Sequence, residues 1–152
     1  MGYKLGKDCK AYFFTAPLTE KWDGTGSAPQ HTEMPNVKDV TVNLETGEAD
    51  ITTRANNGWR ATAATLKNGS VEFEMIWDPA DAGFSKIQTA WSNSAEIGLA
   101  FMDGAIDGPG CSGLASNFTV TNFSRSEPLE EAVKVSVTVK PSSHTEWAKL
   151  AA

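Results

Sequence analysis

Residues 36–79 read NVKDVTVNLETGEADITTRANNGWRATAATLKNGSVEFEMIWDP, and the two ends of this stretch decide the fold class. Near its start Val40, Val42 and Leu44 alternate with Thr41, Asn43 and Glu45. Near its end Val71, Phe73, Met75 and Trp77 alternate with Glu72, Glu74 and Ile76. Successive side chains of a strand point to opposite faces, so each run predicts a strand with one face to bury. Between them, Thr46-Gly47 predicts a turn that joins a strand over 37–45 to a second strand over 49–54. Asn56-Asn57-Gly58 and Asn68-Gly69 predict further turns, because Asn and Gly tolerate positive φ. Residues 61–66 fit a strand or a helix. The middle therefore reads as a long polar excursion, residues 53–67, flanked by sheet strands. Such an excursion implies a contact outside the domain.

Outward from this stretch the chain keeps a β character. Asp78 before Pro79 predicts a helix N-cap, and Phe84, Ile87, Ala90 and Trp91 recur at helical spacing, so a helix is expected over about 80–92 with that stripe in the core. Residues 97–102 predict a strand, residues 103–113 (DGAIDGPGCSG) a Gly-rich loop, and residues 114–124 a long strand. In 132–140, Val133, Val135, Val137 and Val139 alternate strictly with Lys134, Ser136, Thr138 and Lys140, which predicts a strand with one wet face. Upstream, KAYFFT (10–15) is a short strand, and residues 16–35, with their prolines and glycines, form an irregular arm in which Trp22 reads chiefly as a packing anchor. Residues 141–152 read as a polar tail carrying Trp147. The expectation is a single domain over 1–152, mainly β: an antiparallel β-sandwich or partly closed barrel of about seven or eight strands with one flanking helix.

The totals narrow the function. With 152 residues the chain is long enough for a sizeable core without staples, and its net charge of −6 disfavours nonspecific attraction to nucleic acid or anionic membrane. Cys9 and Cys111 form no disulfide framework and read as free thiols. The start, MGYKLGKDCK, lacks a long apolar core, so no signal peptide is expected; no run reaches the ~18 apolar residues of a membrane span. The sequons at Asn68, Asn117 and Asn122 are then coincidental.

Catalytic chemistry finds little support. His31 and His144 have no HxH or HExxH companions, Gly24-Thr25-Gly26 lacks the strand and helix flanks of a phosphate loop, and Asp103 and Asp107 do not have Ca-loop spacing. Glu72 and Glu74 at i and i+2 read as a solvated strand face rather than a glycosidase pair. No catalytic residue, metal or cofactor is expected. A carbohydrate-binding module is one alternative, since Trp22, Trp59 and Trp147 of the five tryptophans lie in loop-like segments. Assembly is the other: two arms, an excursion carrying Trp59 and Arg60, and a polar sheet face suit a ring-forming subunit.

Residues 37–84 (VKDVTVNLETGEADITTRANNGWRATAATLKNGSVEFEMIWDPADAGF) and 118–141 (FTVTNFSRSEPLEEAVKVSVTVKP) resemble the major tail tube proteins of tailed bacteriophages and prophages, and NFSRSEPLEEA, residues 122–132, is the most distinctive part. The resemblance implies a tail-tube fold whose copies form a homohexameric ring. Rings stack into a hollow tube around a tape measure protein, bounded by tail terminator and distal tail or baseplate proteins, and DNA later passes through the lumen. It implies assembly in the bacterial host cytoplasm, residence in the virion tail, and no membrane partner. It maps the inter-ring loop, often mobile until rings stack, to about 53–67 and proposes inter-ring or inter-subunit contacts at Arg54, Asn57, Trp59, Arg60 and Trp22. Candidate lumen-facing acidic residues are Glu45, Glu48, Glu72 and Glu74. An inner tube of a contractile injection or type VI secretion system shares this fold and is the nearest alternative.

Overall fold

The computed structural model describes residues 4–25 and 28–151. Met1 to Tyr3 of the N-terminal reading, Gly26 of Gly24-Thr25-Gly26 and Ala152 of the tail lie outside the described residues. The chain runs β1 (Lys10–Phe14), β2 (His31–Glu33), β3 (Val37–Asp50), β4 (Thr62–Ile76), α1 (Ala82–Ser92), β5 (Glu96–Met102), β6 (Ser112–Ser126) and β7 (Lys134–Lys149). One seven-stranded sheet has the order β2-β1-β5-β6-β7-β4-β3, and its neighbours pair antiparallel. The sheet curls without closing. Phe73 on β4 and Phe101 on β5 are three strand spacings apart, about 14 Å in a flat sheet. Their ring centroids lie 5.6 Å apart, with Phe118 5.7 Å beyond Phe101.

The curl creates two cores. On the concave side, Val71, Phe73 and Met75 of β4 meet Val135, Val137 and Val139 of β7, Leu114, Phe118 and Val120 of β6, and Ile97, Leu99 and Phe101 of β5. Helix α1 covers this side with Phe84, Ile87 and Ala90. On the other side, Tyr12, Phe14, Ala100, Met102, Ala115 and Ala148 pack under the arm residues Leu18 and Trp22 and under Ile106 and Cys111 of the 103–111 loop. Strands β1 and β5 are therefore buried on both faces, which explains why KAYFF and EIGLAFM read as continuous apolar runs.

Several boundaries differ from expectation for identifiable reasons. The helix is capped by Asp81, whose carboxylate accepts from the Phe84 N–H at 3.0 Å, and not by Asp78. Asp78 instead accepts from the Ala80 N–H at 3.1 Å in the turn before the helix, and Pro79 sits in that turn. Trp91 is half-exposed and stacks on Phe123 at the rim instead of entering the core. Thr46-Gly47 and Asn68-Gly69 do not turn: β3 and β4 run through both. The register slips between Thr46 and Glu48, and a Cβ on Gly47 would sit 2.6 Å from Thr65 Oγ1. Glycine in a strand marks such bulges and close approaches as readily as turns. The tail is also strand: β7 continues to Lys149 and pairs Trp147 with Leu114.

Where β6 and β7 bend, their register shifts at Ala115, Asn117 and Phe118, and polar side chains are buried in the fold. Asn117, 1% exposed, accepts the Leu18 N–H at 2.7 Å and donates to Leu18 O at 2.9 Å and Ser143 Oγ at 3.1 Å. It thereby clamps the arm to the bend. Further along, a Cβ on Gly24 (φ +94) would sit 2.6 Å from the Lys149 backbone, so glycine permits the arm to lie against β7. Replacing Asn117 with Ala strands two buried backbone groups and is expected to cost about 1–3 kcal/mol, read as a lower thermal midpoint.

Candidate assembly surface

Strand β4 pairs with β7 only as far as Val71–Val139, while its pairing with β3 continues to Thr62–Asp50. Residues 44–50 and 62–69 consequently form a two-stranded ribbon that leaves the sheet and extends about 23 Å at ~3.3 Å per residue. The excursion expected as a loop over 53–67 is thus a β-ribbon with its turn at 51–61; the strand-or-helix ambiguity at 61–66 resolves as strand. Alternation could not reveal this, because a ribbon wet on both faces has no face to bury.

The tip is held by its own hydrogen bonds. Thr52 Oγ1 accepts the Ala61 N–H at 2.8 Å, the Ile51 N–H donates to Ala61 O at 3.0 Å, and the Thr53 N–H donates to Asn56 Oδ1 at 2.7 Å. Asn57 (φ 53) and Gly58 (φ 84) then make the left-handed turn that the sequence predicts. The result displays Arg54, Trp59 and Arg60 to solvent, with Trp59 79% exposed. Leu66 is 80% exposed, and Ile51 and Leu44 are also out in water. Trp22 has the opposite placement: at 6% exposure it is a packing anchor in the second core and has little surface to present to a neighbouring subunit.

Strand β3 is an edge along its whole length. Val40, Val42 and Leu44, expected to bury one face, are exposed. Val42 does share the concave side with Val71, but the curl stops short and leaves this margin uncovered. A bulge between Lys38 and Thr41, with Asp39 at φ 53, turns Val40 out as well. A long edge strand with exposed apolar side chains is a template for pairing with another chain.

The convex face of β3, β4, β7 and the end of β6 is polar. Register places Glu72 beside Thr41 and Thr138, Glu74 beside Lys38 and Ser136, and Glu45 beside Asn68. Glu48 lies on the other side of β3, by alternation with Glu45, so the four carboxylates do not share one face. Glu45, Glu72 and Glu74 share theirs with Lys38, Lys134 and Lys140, so carboxylates and lysines are interspersed on this face. Lys134 pairs with Glu131 at 3.1 Å, and that hydrogen bond raises its pKa.

Three titratable groups that could suggest chemistry, Asp103, Cys111 and His31, have structural partners. Asp103 accepts the Ser112 N–H at 3.0 Å; burial opposes its charge, but the Ser112 and Cys111 hydrogen bonds hold its pKa below the usual value. Burial, with Asp103 alongside, pushes the Cys111 thiol up to about 11, so it is an inert core group. His31 Nδ1 lies 2.8 Å from Pro29 O, and its ring meets Tyr12 edge-on. Among the described residues no three His, Cys, Asp or Glu side chains form a metal cluster, and no helix is long and apolar enough to cross a membrane.

Residues 21–144 match the family model described as phage tail tube protein. Solved structures share the fold at low identity. The tail of an empty gene transfer agent particle, refined helically with C6 symmetry, matches with a TM-score of 0.69 at 13% identity, covering 94% of this chain and 97% of that one. The SPP1 tail tube matches at 0.66 and 17% identity over 99% of this chain and 80% of that one. The anti-feeding prophage baseplate matches at 0.57 and 9% identity over 94% and 91%. No curated protein matches in sequence.

Proposed function

The chain belongs to the phage tail tube protein family, and from that premise, which makes it a structural tube subunit rather than an enzyme, we propose how it builds the tube. Copies close side by side into a homohexameric ring, rings stack through the ribbon, and the stack encloses a tape measure protein and later conducts DNA. Tail terminator and distal tail or baseplate proteins bound its ends, and it is assembled in the host cytoplasm before it resides in the virion tail. The observation that carries this reading is the unpartnered margin of β3, with Val40, Val42 and Leu44 exposed along a fourteen-residue edge strand. A neighbouring subunit's sheet would pair with that edge and bury those side chains, turning six open sheets into a continuous wall; the C6 symmetry of the gene transfer agent tail supports the count.

The polar convex face, with Glu45, Glu72 and Glu74 interspersed with lysines, would then line the lumen. A wall without net positive charge gives DNA phosphates no strong purchase. Glu48, on the other face, belongs to the subunit contacts in this reading. Purified protein at high concentration is expected to form hollow, uniform tubes by negative-stain microscopy. A stable monomer at all concentrations, with tryptophan fluorescence that responds to glycans, would support the sugar-binding alternative instead.

A further inference from the structure

The connecting segments at the two ends of β4 carry opposite charge, while the ladder partners beside them, Asp50 at Thr62 and Lys134 at Ile76, have the reverse signs. At the Thr62 end, the ribbon tip over residues 51–61 contains Arg54 and Arg60 and no carboxylate. At the Ile76 end, the Trp77 N–H donates to Val133 O at 2.9 Å, which holds the β6–β7 connection, residues 127–133, against that end of the strand. This connection reads EPLEEAV: Glu127, Glu130 and Glu131, and no cation. Both ends also display an apolar side chain in water. Trp59 is 79% exposed at the tip, and Leu129 is 100% exposed at the summit of the acidic loop. A fully exposed leucine between glutamates has no role in the subunit's own packing.

We propose that the ribbon tip of one subunit docks on the β6–β7 loop of a second copy, Trp59 against Leu129 and Arg54 and Arg60 against Glu127, Glu130 and Glu131. The inference rests on the tube reading and names the partner surface for the ribbon. Tip and loop lie at opposite ends of one fifteen-residue strand, with about 46 Å of extended chain between them at ~3.3 Å per residue. A contact between them is therefore head-to-tail: it leaves a free tip at one end of the pair and a free loop at the other. Such a heterologous contact, when it runs along the strand axis, propagates without closing, as axial growth requires. The chemistry is complementary in both respects, an aromatic and two guanidinium groups against an aliphatic side chain in a loop with three carboxylates. Glu127 and Glu131 already hold Arg125 and Lys134 at 3.0 and 3.1 Å, so Glu130 is the carboxylate most available to an incoming arginine.

Charge exchange in the full chain tests the proposal. R54E/R60E and E127R/E130R, made separately, place like charges at the contact. Each is expected to raise the concentration needed for tubes about tenfold or more, with an unchanged circular dichroism spectrum. The four substitutions combined restore opposite charges and are expected to return assembly toward the parent. A second measurement does not rely on repulsion. In a C9S background, A55C and A132C subunits mixed and oxidised during assembly are expected to give mostly mixed dimers. Failure of the combined variant to recover while folded, or homotypic cross-links alone, would overturn the docking proposal with tubes still forming. Absence of tubes from the parent protein would sink the tube reading itself, and the docking proposal with it.

Discussion

A chain in which residues 47–66 are replaced by Asn-Gly is expected to fold as the parent does and to form no tubes. Thr46 and Lys67 face each other across the ladder, so a two-residue turn can join them without changing register. The removed segment pairs with itself: its ladder runs between β3 and β4, and the tip bonds are internal to 51–61. An isolated two-stranded ribbon adds little stability in water, so the loss should be about 1 kcal/mol or less, a shift of roughly 2–4 °C in a domain of this size. Assembly should disappear, because Arg54, Trp59 and Arg60 go with the ribbon. Circular dichroism melting and sedimentation read the two effects separately. A melted domain would mean that the ribbon supports the fold; undiminished tubes would mean that it has no part in stacking.

Phe118→Ala is expected to do the reverse. Phe118 is fully buried, meets Phe101 edge to face at 5.7 Å, and follows the bend of β6 where the two cores part. Truncation removes the ring from the middle of the concave core, and the surrounding strands can collapse only partly into the space. A Phe→Ala change of this kind costs about 3–5 kcal/mol. At roughly 2–4 °C per kcal/mol the thermal midpoint should fall by about 6–20 °C. Assembly should weaken only as the folded population falls, and cooling should restore it. A midpoint within the error of the parent would mean that the site relaxes and that the core is less tightly coupled than its geometry implies.

These two variants mark where the sequence was legible. Val71–Met75, Val135–Val139 and the stripe Phe84, Ile87, Ala90 each bury one face against a partner, and a one-faced segment writes its period into the chain. Strands β1 and β5, buried on both faces, keep composition but lose period. The ribbon fails differently: it buries neither face in the subunit, so Gly47 and Gly69 stood out as turn signals although each sits inside a strand. Val40, Val42 and Leu44 had the right period for a buried face, and in the single subunit that face is bare. Pairing of that edge with a second copy, as proposed above, would give the pattern its use. Charge told least. Glu45, Glu48, Glu72 and Glu74 are equivalent in sequence, yet a single residue of parity separates Glu48 from the others, and only the register brings in the neighbouring lysines.

The continuity of β4 has a mechanical consequence. From Thr62 at the tip to Ile76 at the far end it is one strand, flanked by β3 throughout and by β7 over its last six residues. Antiparallel ladder bonds lie perpendicular to the strand, so a pull on the tip, which loads β3 and β4 alike, shears the β4–β7 bonds together instead of peeling them one by one. Tension applied at the tip is therefore shared across the sheet and delivered at the Ile76 end, beside the β6–β7 connection. A filament made of such subunits would resist stretching through its strands while remaining free to bend at the joints between them.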